Sequence, residues 1–418
     1  MYTGIWKWLV LTLILFSAPM VKAQKKIAEN RNLMEQILSA DTTLLSRYIS
    51  DKDKYRIQIL YTQVDRDKHN RPRFRDFSFN LNADQYFYPA SSIKMPLAIL
   101  ALQKCKALGI PVTATMITDS AFRDQSKVTA DTSSETGLPS VAHYVKKIFL
   151  VSDNDASNRL YEFLGQDYIH QELRRMGLKG AEIIHRLAIP LTEEENRRTN
   201  PVSFYDDAGS LLFKQPTLIT NRSYPDRHNF IGKGYLKDEV MVNEPMNFSK
   251  KNRFPLEELH RIMQMVIFPE AFSKGQIPEL SEQDYKLLYQ YMSQLPRESK
   301  FPAYDQKEFY DSYVKFFLFG TQKDTIMPDH LRIFNKVGWS YGFLTDVAYV
   351  ADLKNKVEFF LSATIYCNED EILNDDKYDY ETIGLPFLEK LGQIIYEQEL
   401  SRKKKHLPDL SRFDLQYE

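Results

Sequence analysis

Strand-like patterns lie near the two ends of this sequence and helix-like patterns fill its middle, and that separation most constrains the fold. Residues 55–64 and 74–81 alternate as strands do, with the charged stretch 65–72 as the expected hairpin turn. Ahead of them, Leu33, Ile37, Leu38, Leu44, Leu45, Tyr48 and Ile49 recur at helical spacing. Helical patterns then occupy 91–108, 142–149, 155–164 and 170–176. Strands return at 345–352 and 356–367, joined by the tight turn Leu353-Lys354-Asn355, and a last helix carries Phe387, Leu388, Leu391, Ile394 and Ile395 on one face. This order predicts one discontinuous α+β domain: an antiparallel sheet flanked by N- and C-terminal helices, with an all-α lobe inserted between its halves and a cleft between the lobes. The expected divisions are 24–90 with 336–400 for the α/β lobe, and 91–335 for the helical lobe. Residues 199–254 read as an irregular insertion holding one hairpin, 202–204 with 210–213, turned at Asp206-Asp207-Ala208-Gly209. Residues 401–418 form a basic tail, with 401–406 expected to be solvated and frayed.

Residues 1–23 are set apart from the fold. They hold Lys7, an apolar run at 9–16 and a small-x-small site at Val21-Lys22-Ala23, the pattern of a cleavable signal peptide. The run is short of the ~20 residues a membrane span needs, and no cysteine follows the site, so neither an anchor helix nor a lipid anchor is expected. The protein is therefore expected to be periplasmic or secreted. Removing the two lysines of this segment takes the net charge from −1 to −3, a balance that offers no basic face for a nucleic acid. The only cysteines, Cys105 and Cys367, read as buried and unpaired. The eight histidines are scattered, with no HExxH or CxxC, so no metal or other cofactor is expected. A monomer acting on a small molecule fits this composition.

A serine becomes a useful nucleophile only when a neighbour takes its proton. Ser91-Ser92-Ile93-Lys94 places an amine three residues after a hydroxyl, on one helical face. Pro89 puts Ser91 near the helix start, where the helix dipole and partial burial favour a lowered lysine pKa. The same S-x-x-K spacing recurs at Ser312–Lys315 and Ser401–Lys404, where a capping serine and a solvated lysine are expected. Ser91 differs from those copies by its company: Ser152-Asp153-Asn154 follows 61 positions later, and Lys336-Val337-Gly338 precedes the late strands.

These three motifs resemble the S-x-x-K, S-D-N and K-[ST]-G set of the serine β-lactamase and penicillin-binding protein superfamily, and their separation is similar to that of class A β-lactamases. The resemblance runs from about residue 55 to 396 and implies a β-lactamase/transpeptidase-like fold. It implies Ser91 as the acyl-forming nucleophile, Lys94 as its proton acceptor or as a partner of that base, and Ser152 as a proton relay to the leaving nitrogen. Asn154 would orient the substrate amide, and Asp153 would hold its own loop. Lys336 would lower the proton affinity of Ser152 and attract an anionic substrate. The oxyanion hole would use the backbone N–H groups of Ser91 and Trp339, with Gly338 leaving room for substrate along the strand.

Two departures qualify what the resemblance implies. Val337 stands where the family has Ser or Thr, and Ser340 or Thr345 could replace that hydroxyl only if turned inward. Losing one hydrogen bond to a charged group is worth about 1.5 to 3 kcal/mol, one to two decades of affinity. The E-x-x-L-N pattern of the deacylating loop is also missing, which leaves Glu244, in Glu244-Pro245-Met246-Asn247, and Glu182 as candidate bases. Trp339, Tyr341 and Phe343 alternate after the third motif, so a strand would put all three rings on one face. The expected activity is hydrolysis of a β-lactam or related cell-wall amide through a Ser91 acyl-enzyme. The alternatives are a penicillin-binding D,D-peptidase or transpeptidase acting on peptidoglycan peptide, and a catalytically silent envelope-binding protein of the same fold.

Overall fold

The computed structural model describes residues 33–418, apart from residue 124. The expected signal peptide, 1–23, lies outside the described residues. Five long strands form one antiparallel sheet: β1 (Gln58–Arg66), β2 (Pro72–Phe79), β3 (Leu331–Ser340), β4 (Phe343–Asp352) and β5 (Val357–Tyr366), in the order β3-β4-β5-β1-β2. The two ends of the chain meet at the β5–β1 seam, in register from Gln58 opposite Thr364 to Gln63 opposite Phe359. Along β5, Val357, Phe359, Leu361, Ala363 and Ile365 enter one core, while Phe360 and Tyr366 enter the other. Both faces are covered, which is why this strand reads as an almost unbroken apolar run.

The first core lies between the sheet and the helices α1 (Leu45–Ser50) and α8 (Leu385–Ser401). The second lies beneath the inserted lobe, whose helices are α2 (Lys94–Leu108), α3 (Val141–Val151), α4 (Asn154–Leu164), α5 (Gln166–Arg175), α6 (Leu256–Ile267) and α7 (Glu282–Ser293). Residues 94–103 of α2 are all buried, as expected of a helix at the centre of a lobe. The margin of the lobe adds short strands that an all-α reading lacks. Thr115–Thr118, Val202–Tyr205 and Leu211–Gln215 make one small sheet, which places a hairpin where the turn at 206–209 predicts it. Gly234–Lys237 pairs in parallel with Ile372–Leu373 and so ties the insertion to the α/β half.

The first hairpin turn is tighter than 65–72, because Asp67 Oδ1 accepts from the N–H groups of His69 (2.8 Å) and Arg71 (3.0 Å) and lets both strands run on. The tail corrects the sequence expectation more strongly. Arg402 pairs with Asp65 and Glu399, Leu410 and Phe413 are fully buried, and Glu418 accepts from Lys146 at 2.7 Å. Arg402, Lys404 and Arg412 find carboxylate partners and Leu410 and Phe413 find the core, so the segment is docked rather than frayed, although Lys403, Lys405 and Leu407 stay exposed.

One buried ion pair crosses the seam. Arg66 meets Glu358 in a two-bonded arrangement at 2.6 and 2.7 Å, both side chains almost fully buried, and the Tyr349 hydroxyl donates to the same carboxylate. Arg66→Met leaves Glu358 buried without its cation and is expected to cost about 3 to 5 kcal/mol, read as a lower urea midpoint at unchanged slope.

Candidate active site

Ser91 sits in a single 3-10 turn, Ala90–Ile93, that leads directly into α2. Ala90 has φ +45°, a left-handed backbone that a residue with a Cβ adopts at some cost. The Pro89 carbonyl accepts from both the N–H (3.0 Å) and the hydroxyl (2.6 Å) of Ser92, which fixes the turn. Ser92 therefore points into the core, while Ser91 stays partly exposed to the cleft. One helical turn on, Lys94 is wholly buried.

The second motif is the joint between two helices. Ser152 ends α3 in the left-handed region (φ +60°), and Asp153 starts α4 by accepting from the Ala156 N–H at 2.8 Å. Asp153 also lies 3.5 Å from the Lys147 ammonium, so it holds the loop, as the resemblance implies. This bend brings Ser152 and Asn154 over Lys94. The Lys94 ammonium donates to the Ser152 carbonyl, to Asn154 Oδ1 (2.7 Å) and, at 3.3 Å, to Ser152 Oγ. From the other side Lys336 Nζ donates to Ser152 Oγ at 2.8 Å and to the Val337 carbonyl at 2.9 Å. One hydroxyl thus lies between two buried amines. Burial lowers Lys94 to about 7, against a smaller opposing pull from Asp153. Burial and the neighbouring Lys94 charge push Lys336 well below the ordinary lysine value.

The third motif lies on β3, the open edge of the sheet. A Cβ on Gly338 would come 2.4 Å from the Pro89 carbonyl oxygen and 3.3 Å from the Ser91 nitrogen. Glycine is therefore required here by the approach of the edge strand to the Ser91 turn, a contact the sequence does not reveal. The two-residue turn Tyr341-Gly342, both at positive φ, makes Ser340 and Phe343 a bonded pair, and bonded pairs alternate along an antiparallel ladder. The Trp339 N–H consequently points off the open edge, toward the Ser91 turn. Ser340 lines the cleft. Thr345 does not serve as the replacement hydroxyl, since it is fully buried and donates to Thr364 Oγ1 at 2.9 Å.

The three rings after this motif do not share a face, because the turn interrupts the strand before Phe343. Trp339 stacks between Phe316 (5.8 Å) and Tyr380 (6.1 Å). Tyr341 meets Tyr88 and Phe248 edge-on, and Phe343 is buried against Tyr366. Neither candidate deacylating base reaches the cleft. Glu244 is exposed in the loop before Met246–Asn247, and Glu182 is paired with Arg227 and bridged through its backbone to Arg253. The wall that faces Ser91 from the segment after α5 is instead made by Leu187 and Ala188. That segment is held by the Arg186–Glu162 ion pair (3.0 Å) and by Asn158, which bonds both backbone groups of Leu187.

Cleft residues that motif reasoning missed include Tyr88, Phe309, Tyr313 and Phe316. The density of rings at 309–319 was the available signal. The other S-x-x-K copies hold no nucleophile at the cleft. Lys315 is buried rather than solvated, donating to Met292 O, Ile333 O and Asn335 Oδ1 behind β3, and Lys404 donates to the Glu399 carbonyl. Cys105 and Cys367 are buried and unpaired.

Comparison with known proteins gives the same family as the motifs. The model of the "Beta-lactamase enzyme family" matches residues 43–398. Among solved structures, a β-lactamase from Sphaerobacter thermophilus is 13% identical with a TM-score of 0.48, covering 86% of this chain and 98% of that one. A β-lactamase from Xanthomonas campestris (14%, TM-score 0.45, 84% and 96%) and PBP-A (13%, TM-score 0.45, 88% and 95%) are similar to it to the same degree. A search of curated proteins finds no match. With the family model spanning most of its length, the chain belongs to the β-lactamase enzyme family.

Proposed function

We propose that this protein is a serine hydrolase that forms an acyl-enzyme at Ser91 with a β-lactam or a related cell-wall amide. The observation that carries this reading is the Ser152 hydroxyl, 2.8 Å from Lys336 Nζ and 3.3 Å from Lys94 Nζ, beside the Ser91 turn. With Lys94 neutral, its amine takes the Ser91 proton as Oγ attacks the carbonyl carbon, and Ser152 passes a proton to the leaving nitrogen. The developing oxyanion is met by the N–H groups of Ser91 and Trp339. Asn154, already held by Lys94, is placed to orient the substrate amide. The leader-like sequence 1–23 supports an extracytoplasmic setting for this chemistry.

The fate of the acyl-enzyme favours penicillin-binding behaviour over rapid turnover. Among the described residues the carboxylates lining the cleft are Asp153 and Asp155. Asp153 is committed to its helix cap and Lys147, and Asp155 bonds Arg159 at 2.8 Å. A water facing Leu187 and Ala188 meets no uncommitted carboxylate there, and deacylation is expected to be slow.

Intact mass spectrometry after incubation with benzylpenicillin is expected to show a one-to-one adduct that persists over hours and is missing in Ser91→Ala. An adduct surviving in that variant would refute the assignment. The rate of acylation should rise with pH below about 7 and level off above it, because only the unprotonated Lys94 accepts a proton and its pKa lies near 7. Lys94→Met should lose about 10² to 10⁴ of that rate and with it this limb of the profile; a variant that keeps the limb would show that another group is the base.

A further inference from the structure

The cleft's charges are arranged unlike those of a site built for an anion. Among the described residues no lysine or arginine lines it, whereas Asp153 and Asp155 do. The two motif lysines are buried and bonded within the protein, Lys94 to Ser152 and Asn154, Lys336 to Ser152 and the Val337 carbonyl. Lys251 has its ammonium over the Tyr341 ring, 5.8 Å from the centroid, and does not line the cleft. At the position of the missing hydroxyl, Val337 lines the cleft with hydrocarbon alone, 4% exposed and packed into the apolar core under the sheet. Thr345 is spent on Thr364, which leaves Ser340 as the hydroxyl at the end of β3. Beside it stands an apolar surface: Trp339, 44% exposed, stacked between Phe316 and Tyr380 with Tyr313 edge-on.

From these observations we infer that the acyl donor fitted by this cleft carries no carboxylate beside its scissile bond, and is a neutral amide or ester with an apolar flank lying on the Trp339 surface. A carboxylate brought there would lose water and, at the end of β3, meet the Ser340 hydroxyl with no exposed cation beside it. A neutral, apolar group meets rings and backbone instead. The inference rests on the Ser91 acyl-enzyme. In the step itself, Ser91 Oγ bonds to the carbonyl carbon and the C–N or C–O bond breaks. The serine proton reaches the leaving atom through Lys94 and Ser152, and water later releases the acid and restores the serine.

A matched pair of probes with one reactive ring tests this: benzylpenicillin and its methyl ester, each followed by intact mass for the rate of Ser91 acylation. The ester is expected to react at least as fast as the free acid. Val337→Thr, which restores the hydroxyl at nearly constant volume, should move the acid-to-ester ratio toward the acid by about tenfold, the weight of one hydrogen bond to a charged group. A wild-type preference for the free acid of about tenfold or more, the size of that same bond, or a ratio unmoved by Val337→Thr, overturns the inference. A fluorophosphonate probe, which has no carboxylate to recognise, separates the two levels. If it labels Ser91 while the free acid is preferred, only the present inference fails. If it and both penicillins leave Ser91 unmodified, the acyl-enzyme reading falls, and this inference with it.

Discussion

Two buried amines that share one hydroxyl set the terms for the rest of this structure. Lys94 comes from the start of α2, Ser152 from the bend between α3 and α4, and Lys336 from the edge strand β3. Burying an ammonium is costly unless it is paired or loses its proton. Here no carboxylate touches either amine; the partners are carbonyl, amide and hydroxyl oxygens. The site therefore favours at least one neutral amine, and a neutral buried amine is what proton abstraction from a serine needs. The supporting features serve this convergence: the left-handed backbone at Ala90 and Ser152, the Asp153 helix cap, and a glycine at 338 that lets a strand edge touch a turn.

Much of this was legible in the sequence, for identifiable reasons. The three motifs name Ser91, Lys94, Ser152, Asn154 and Lys336, and the structure gathers them in one place. The late strands were visible because two covered faces leave long apolar runs, and the early ones because their side chains alternate. What stayed hidden depended on contacts distant in sequence. Nothing near Lys315 reveals that its amine is received by carbonyls of α7 and β3, or that Phe413 wedges between Phe334, Tyr349 and Tyr289. The contact that demands glycine at 338 was equally hidden, because its neighbour is a turn some 250 positions earlier. The face shared by three aromatic rings was lost to one turn, Tyr341-Gly342, that strand periodicity alone does not signal.

The segment after α5 shapes the cleft without bringing an ionisable side chain to it. The loop around Leu187 is pinned as firmly as the nucleophile turn, by a buried ion pair and a two-sided asparagine clamp. It presents hydrocarbon to the cleft, and the flanking carboxylates are committed to helix ends. Rigidity there supports shape and exclusion of water more than activation of it.

The docked tail ties these parts together. After α8 leaves the back of the sheet, residues 402–418 pass to its other face and finish on the inserted lobe, where Tyr417 bonds Ser293 and Glu418 pairs with Lys146. Lys146 belongs to α3, and the last turn of α3 delivers Ser152 to the two amines. The chain thus acts as its own clamp: strands at the seam join the halves from within, and the tail straps them from outside. A motion that widens the cleft by moving the inserted lobe would have to lift this strap or bend α3, so a contact at the far rim of the molecule bears on where Ser152 stands.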